Sequence, residues 1–130
     1  MGLFRWFTKN WANTQEPTHS DLSPLRLPLS SCEVRARILA KIAAGVSGWR
    51  LESESDASGR IHLTRRTTVC RFVDDVWLTL TETENGQGTR LDAESRSRVG
   101  VGDLGQNRRN ILELWAVLRH EFALSQGTDR

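Results

Sequence analysis

Residues 89–99, TRLDAESRSRV, decide the fold of this chain, because small or apolar side chains alternate with charged ones along the stretch. Successive side chains of an extended strand point to opposite faces of a sheet. One face takes Leu91, Ala93, Ser95 and Ser97, and the other takes Arg90, Asp92, Glu94, Arg96 and Arg98. A sheet with one apolar and one polar face is typical of antiparallel architectures. The stretch therefore predicts the last strand of a one-sided antiparallel sheet.

Three further strands are predicted upstream, and each shows the two-residue period of a strand. They begin at Trp49, Ile61 and Val76. Turn residues at 56–59 join the first two strands into a hairpin, and the turn NGQG at 85–88 connects the third strand to the last. On the third strand, Trp77 falls on the polar face. The link at 67–75 is predicted to be a loop with a bulge.

A helix is predicted between the N-terminal region and the hairpin. Ser30 or Ser31 can cap it, and Glu33 lies in its first turn, where a carboxylate is favourable. Its apolar stripe consists of Val34, Ile38, Leu39 and Ile42. Gly45 or Gly48 then ends the helix, because glycine is the preferred residue just past a helix C-terminus.

The last helix follows the fourth strand, with Asp103 as its predicted N-cap and Gln106 in the capping-box position. Its apolar stripe is Ile111, Leu114, Trp115, Leu118 and Phe122, and it ends near Ser125. The elements together predict an α+β fold of order αββββα. Two helices cover one face of a four-stranded antiparallel sheet, and the other face is at least partly wet.

Residues 2–14, GLFRWFTKNWANT, predict a short amphipathic helix with Arg5 and Lys9 on its polar side. The side chains that would contact a membrane or a partner are Leu3, Phe4, Trp6, Phe7 and Trp11. This composition is typical of an interfacial helix, although two cations are few for stable membrane binding. A helix of this length can also pack against its own domain or against a protein partner.

The predicted organisation is a helix over residues 1–14, a proline-containing linker over 15–31, one domain over 32–125 and a disordered tail over 126–130. The chain has 130 residues and a net charge of +2, which argues against a nucleic-acid partner. Arg5 and Lys9 interrupt the apolar run near residue 1, so we expect neither a signal peptide nor a membrane-spanning segment. We expect a cytoplasmic protein that can lie peripherally at the inner membrane.

Metal and cofactor sites are not predicted. Cys32 and Cys70 match no ligand spacing, and the three histidines are scattered along the chain. GVGDLG at 100–105 matches the glycine pattern of a dinucleotide-binding loop, but the chain is too short to form the second strand that such a site needs. Asp103 would also repel a phosphate at the helix end. The glycines are therefore interpreted as a strand-to-helix corner.

One polar cluster remains a candidate functional site. Extending the stripe of the last helix backwards from Ile111 reaches Arg108 and Asn107, so polar groups there face the sheet and need partners. The cluster consists of Asp74, Asp75, Arg96, Arg98, Asp103, Asn107, Arg108 and Arg109. It is either a structural clamp or a site for a small anionic ligand. Asp74 and Asp75 point to opposite faces, so they do not form a catalytic pair, and no nucleophile with a histidine and a carboxylate stands out.

Three runs carry a resemblance to a known family: GLFRWFTKNWANT, RRTTVCRFVDDVWLTL at 65–80 and SRSRVGVGDLGQNRRNI at 95–111. The chain resembles the bacterial domain of unknown function 1499 family, especially its small soluble members, over most of its length. The resemblance implies recurring positions at Asp74, Asp75, Ser95, Arg96, Ser97, Arg98, Gly100, Asp103, Gly105, Asn107 and Arg109. It implies no biochemical activity. Many relatives carry a signal or lipoprotein-like N-terminus, from which this chain departs.

Two functions stay open at this point. The first is a non-enzymatic binding or interaction module that meets a protein partner or a membrane surface through its N-terminal helix. The second is a small enzyme or sensor that binds a carboxylate or phosphate at the arginines of the polar cluster. An enzyme is the weaker interpretation.

Overall fold

The computed structural model describes residues 11–15, 21–55, 59–67, 72–83, 85–98 and 105–126. These residues form six strands and two helices. The elements are β1 (Trp11–Asn13), β2 (Leu25–Leu27), α1 (Ser31–Ala44), β3 (Trp49–Ser55), β4 (Arg60–Arg66), β5 (Val73–Glu82), β6 (Thr89–Ser97) and α2 (Gln106–Gln126). The α+β class and the antiparallel sheet are confirmed, but the described sheet has six strands instead of the predicted four.

The two additional strands lie one after the other along the same edge of β6. The main strand order is β1–β6–β5–β4–β3, and β2 also pairs with β6. Residues 25–27 pair with residues 89–91, and residues 11–13 pair with residues 94–96, all antiparallel. An unpaired strand edge exposes a row of backbone donors and acceptors, and short edge strands satisfy them. The N-terminal region thus closes the edge of the sheet.

The predicted N-terminal helix is wrong at its C-terminal end, because Trp11–Asn13 is a strand. Ala12 is fully buried opposite Ser95, and Trp11 lies opposite Arg96. Pairing with β6 outweighs the local helical period, since that period alone cannot bury a side chain or satisfy the sheet edge. The other predicted contact residues, Leu3, Phe4, Trp6 and Phe7, lie outside the described residues.

The predicted linker contains β2, which is extended as expected but is also paired. Leu25 and Leu27 are buried, whereas Arg26 between them is exposed. Pro24 and Pro28 flank the strand, and proline is tolerated at the ends of edge strands because it cannot donate to a ladder. The indole Nε1 of Trp115 in α2 donates to the carbonyl of Ser23 at 2.7 Å, which holds this segment on the domain.

The predicted caps of the first helix are confirmed. The hydroxyl of Ser30 accepts the backbone N–H of Glu33, so Ser30 is the N-cap and Ser31 begins α1. Gly45 ends the helix with φ at 114°, and its N–H is shared between the carbonyls of Lys41 and Ile42. Such a φ is readily available only to glycine.

The start of β5 differs from the expectation for residues 67–75, whereas residues 68–71 of the predicted loop and bulge lie outside the described residues. A separate register shift lies in β3, where the pairing with β4 changes between Leu51 and Ser53. β5 begins at Val73, three residues before the predicted start at Val76. Asp74 and Asp75 therefore belong to the ladder, opposite Ser97 and Arg96 of β6.

Both helices pack on the same face of the sheet, which we call the covered face. Their buried stripes meet the apolar side chains of the central strands in one core. The strand residues in this core are Ala12, Leu25, Leu27, Trp49, Ile61, Leu63, Val76, Leu78, Leu91 and Ala93. The opposite face, which we call the open face, carries Asp75, Trp77 and Thr79 of β5 and the charged residues of β6. Within the described parts of the chain, neither helix crosses the open face.

The corner before α2 is described only at its end. α2 begins at Gln106, and the carbonyl of Gly105 accepts the N–H of Arg109 at 3.1 Å. Gly105 has φ at +84°, which explains a glycine there. The predicted N-cap, Asp103, and the glycines Gly100 and Gly102 lie outside the described residues.

Candidate functional site

The sheet divides the predicted polar cluster between its two faces. Asp74 points to the covered face and is 2% exposed. Asp75 points to the open face, where it contacts Arg98 and His62. Adjacent strand residues must separate in this way. The described members of the cluster therefore do not form one site.

On the covered face, a buried polar cluster joins the start of α2 to β5 and β6; its members are Asp74, Ser95, Ser97, Asn107 and Asn110. Ser95 Oγ donates to Asn107 Oδ1 at 2.6 Å, and Asn107 Nδ2 donates to Ser97 Oγ at 2.9 Å. Asn110 Nδ2 donates to Asp74 Oδ2 at 2.8 Å and lies 3.2 Å from Ser95 Oγ. Asn107 and Ser95 are fully buried. The cluster satisfies polar groups inside the core and fixes α2 on the sheet.

On the open face, Asp75 holds Arg98 in a two-pronged contact. Arg98 Nε lies 3.0 Å from Asp75 Oδ2, and Arg98 Nη2 lies 2.9 Å from Oδ1. His62 Nε2 lies 2.8 Å from the same Oδ1. The hydrogen bond from Arg98 lowers the pKa of Asp75, and His62 lowers it further against the opposing effect of burial. Asp75 is thus held as an anion, and in turn it raises the pKa of Arg98.

The other arginines of the predicted cluster contact residues other than Asp75. Arg96 pairs with Glu94 on the open face, and its guanidinium lies 5.1 Å from the ring centroid of Trp11. Arg108 pairs with Asp21 in the segment before β2, which raises the pKa of Arg108. Arg109 donates to the side chain of Gln106 at 3.1 Å. The described arginines of the cluster therefore have different partners, and Asp103 lies outside the described residues.

A cleft of about 130 Å³ lies on the open face, next to the C-terminal end of β1. We call it the open-face cleft, and it is lined by Asn13, Gln15, Arg60, Trp77, Thr79, Asp92, Ala93 and Glu94. Its lining comes from the end of β1 and from three neighbouring strands of the sheet. The backbone of the sheet thus fixes the relative positions of most lining residues.

Both carboxylates of the open-face cleft are held by neighbouring side chains. Asp92 is 4% exposed. Its Oδ1 accepts the hydroxyl of Thr14 at 2.9 Å, and its Oδ2 accepts Nε of Arg90 at 2.9 Å. Glu94 accepts Nδ2 of Asn13 at 3.3 Å and pairs with Arg96. An arginine two residues away on the same strand face therefore compensates each negative charge.

Trp77 forms the aromatic wall of the open-face cleft. Its ring stacks on the ring of His62, with centroids 4.9 Å apart and an angle of 16° between the planes. The guanidinium of Arg60 lies 5.8 Å from the centroid of the Trp77 ring. Arg60 forms no ion pair with any described residue. The indole is thus oriented by packing, and Arg60 brings a hydrogen-bond donor to the rim.

Sequence reasoning placed Trp77, Asp92 and Glu94 on the polar face but did not predict the cleft. It assigned Asn13 and Gln15 to a helix and a linker, so their position beside β6 was not foreseen. A tryptophan on the charged face of a strand was the available signal, since large aromatic side chains on polar surfaces often mark binding sites.

No group of three or more His, Cys, Asp or Glu side chains among the described residues is arranged to hold a metal ion. No helix among them has the length and apolarity needed to cross a bilayer. The only cysteine side chain among them, Cys32, is exposed and reduced.

Comparison with known proteins agrees with the resemblance that the motifs carry. No curated protein and no solved structure matches the chain. A family model described as "Protein of unknown function (DUF1499)" matches residues 7–118, a range that contains both the buried polar cluster and the open-face cleft. Because the match spans most of the 130 residues, the chain belongs to the DUF1499 family.

Proposed function

We propose that the protein is a non-enzymatic binding module whose ligand site is the open-face cleft. One observation carries this proposal: the Trp77 ring and the carboxylates of Asp92 and Glu94 line the same cleft. Neighbouring side chains hold all three groups in place. Binding sites combine an apolar or aromatic surface with a few fixed polar groups in this way. Groups already oriented before binding lose little entropy when a ligand arrives.

The ion pair of Asp75 on the open face favours binding over catalysis at this carboxylate. A general acid or base works best when its pKa lies near the working pH. The Asp75 carboxylate has a lowered pKa instead, so it stays charged and paired with Arg98. Asp92 and Glu94 are each paired with an arginine as well. These pairings suit a surface that recognises a ligand by hydrogen bonding.

The proposal is tested by nuclear magnetic resonance with the full-length chain and a set of small ring compounds that are neutral, acidic or basic. We expect at least one compound to shift the indole N–H signal of Trp77 and the amide signals of residues 92–94. In Trp77→Ala the same compound should lose its effect on residues 92–94. The control is Thr81→Ala, on the same strand face but outside the cleft, which should bind as the wild type does.

Two results would contradict the proposal. In the first, no compound of any charge class shifts these signals. In the second, binding is retained in Trp77→Ala, which would place the ligand elsewhere. Far-ultraviolet circular dichroism and a melting curve establish that each variant is folded before its binding is compared.

A peripheral membrane location at the inner face of a cytoplasmic membrane is a second proposal, favoured by the position of β1. β1 is an edge strand of the sheet. The chain therefore enters the described domain at the edge of the sheet and not within its core. Residues 1–10 contain Phe4 and Phe7. Together with Arg5 and Lys9 they match the composition of interfacial segments.

The membrane proposal is tested by flotation with vesicles of phosphatidylethanolamine and phosphatidylglycerol. Deleting residues 1–14 would also remove β1, so the test uses Phe4→Ser with Phe7→Ser in the full chain. We expect this variant to float less than the wild type. The control is Phe72→Ser, which changes a phenylalanine that is 51% exposed on the domain. Equal flotation of wild type and double variant, or flotation of neither, would refute the proposal.

A further inference from the structure

We infer that the ligand of the open-face cleft is a neutral, polyhydroxylated six-membered ring, that is, one saccharide unit; the inference rests on the function proposed above. Three properties of the cleft lead to this ligand class: its volume, its balance of charge and the mixture of hydrogen-bond donors and acceptors around Trp77. Each property excludes a different group of alternatives.

The volume of the cleft limits the ligand to one ring. The cleft measures about 130 Å³. Sites for drug-sized molecules usually exceed about 300 Å³. An engineered protein cavity of about 150 Å³ admits a benzene molecule. The open-face cleft is therefore suited to a single six-membered ring rather than to a nucleotide, a peptide helix or a larger cofactor.

The charges around the cleft favour a neutral ligand. Asp92 and Glu94 would repel an anion, and each is already paired with an arginine. Arg60, Arg90 and Arg96 in turn would repel a cation. A neutral molecule does not disturb either ion pair. A cation would have to compete with Arg90 and Arg96 for the two carboxylates, and an anion near Arg60 would also face Asp92 and Glu94. A charged ligand would also lose part of its hydration in the cleft without gaining an unpaired partner of opposite charge among the two carboxylates, and this loss would weaken its binding.

The uncharged polar groups of the cleft match hydroxyls. Asn13 and Gln15 carry amides, and Thr79 carries a hydroxyl, so donors and acceptors stand side by side. Each oxygen of the Asp92 and Glu94 carboxylates has more than one lone pair, so it can accept a further donor. A hydroxyl both donates and accepts, so adjacent hydroxyls on one ring can satisfy this mixed lining. Arg60 adds a donor at the rim.

Trp77 supplies the surface on which such a ring would lie. A saccharide ring presents C–H groups on its flat sides, and their slight positive charge is attracted to the negative face of an aromatic ring. The stack with His62 holds the indole plane, with the two rings 16° from parallel. The proposed ligand ring would lie against the part of Trp77 that lines the cleft, beside the polar lining residues.

The inference is tested by titrating the isotope-labelled full-length protein and following the backbone amide signals of residues 92–94 in every variant, together with the Trp77 indole N–H signal in the wild type. The neutral ligands are the methyl glycosides of glucose, galactose and mannose, and the charged controls are glucuronate and glucosamine. A trisaccharide of each neutral sugar distinguishes a free monosaccharide from the end unit of a longer glycan. We expect saturable binding of at least one neutral glycoside, weakened about tenfold by Trp77→Ala because the stacking surface is lost.

Further variants and outcomes distinguish a failure of this inference from a failure of the proposed binding function. Trp77→Phe retains an aromatic surface and should bind better than Trp77→Ala, and Thr81→Ala should be unchanged. Binding of glucuronate or glucosamine without any neutral glycoside would overturn the inference of a neutral ligand but support a ligand site in the cleft. A lack of response to every sugar would also overturn the inference, and the broader set of ring compounds would still test the site independently.

Discussion

Asp74 and Asp75 are neighbours in β5, but their side chains lie on opposite faces of the sheet. Asp74 is buried on the covered face and accepts an amide N–H of Asn110. Asp75 lies on the open face and accepts hydrogen bonds from the guanidinium of Arg98. The partners differ because a buried site favours compact neutral donors, whereas an arginine at a wet surface keeps much of its hydration.

The contrast separates residues that maintain the fold from residues that are available for binding. Polar groups on the covered face are enclosed, so removing one partner leaves another group without water or a hydrogen bond. Ion pairs on the open face remain partly solvated and contribute little to stability. Arg98 and Arg96 are about half exposed, at 49% and 50% of their side-chain surface. Changes on the covered face should therefore affect folding, and changes on the open face should mainly affect binding.

The largest expected effect is that of Asn110→Ala. The change removes the amide that donates to the buried carboxylate of Asp74 and to Ser95, so we expect a loss of about 3 kcal/mol in the free energy of unfolding. Urea denaturation followed by tryptophan fluorescence measures it. The control is Arg119→Ala on the exposed side of α2, which should change stability by less than about 0.5 kcal/mol. A loss below about 1 kcal/mol in Asn110→Ala would contradict the contrast between the faces.

A smaller effect is expected for Thr14→Val at the border of the two faces. The Thr14 hydroxyl donates to Asp92 Oδ1 and accepts the backbone N–H of Ala93, both at 2.9 Å. Valine has almost the same shape without the hydroxyl, so the loss should be about 1.5 kcal/mol. Urea denaturation measures this loss. The control is Gln15→Ala, which changes an exposed neighbour. Equal stability of wild type and Thr14→Val would show that this contact does not hold β1.

Asp75→Asn should destabilise the protein less than Thr14→Val, and the effect should depend on pH. The pKa of Asp75 in the folded protein lies below its ordinary value of 3.8. The stabilisation from the charged group is therefore fully present above that value and disappears as the pH falls through the lower folded-state pKa. Unfolding measured between pH 7 and pH 2 should show the wild type and the variant converging in acid. A constant difference over this range would exclude ionisation of Asp75 as the cause.

The smallest expected effect is that of Arg96→Ala. Its ion pair with Glu94 is at the surface, so the free energy of unfolding should change by less than about 0.5 kcal/mol. Thermal and urea denaturation test this value. A loss as large as that of Asn110→Ala would mean that Arg96 belongs to a structural clamp, as one interpretation of the sequence held.

The sequence predicted those features that depend on local periodicity and capping. The alternation along residues 89–98 assigned each side chain of β6 to the correct face. Ser30 and Gly45 marked the ends of α1 because their roles depend only on adjacent backbone groups. The position of Asn107 one turn before Ile111 indicated that its amide faces the sheet, where it contacts Ser95 and Ser97.

The candidate site was predicted less well, because its residues come together through distant pairing. Trp11–Asn13 follows a helical pattern locally, and only the unpaired edge of β6 makes it a strand. The same pairing brings Asn13 and Gln15 to the cleft beside Glu94. His62 and Trp77 stack because of the register between β4 and β5, which the spacing of residues within either strand does not reveal.

The sequence by itself determined the fold class, the two faces of the central strands and the ends of α1, since each of these follows from the side-chain period or from neighbouring backbone groups. Tertiary structure alone decided that two short strands close the edge of β6 and that the predicted polar cluster is divided by the sheet. It also decided that Trp77 meets Asp92 and Glu94 in a cleft. These contacts join residues far apart in the chain, and their geometry is set by strand register and by burial of the shared core.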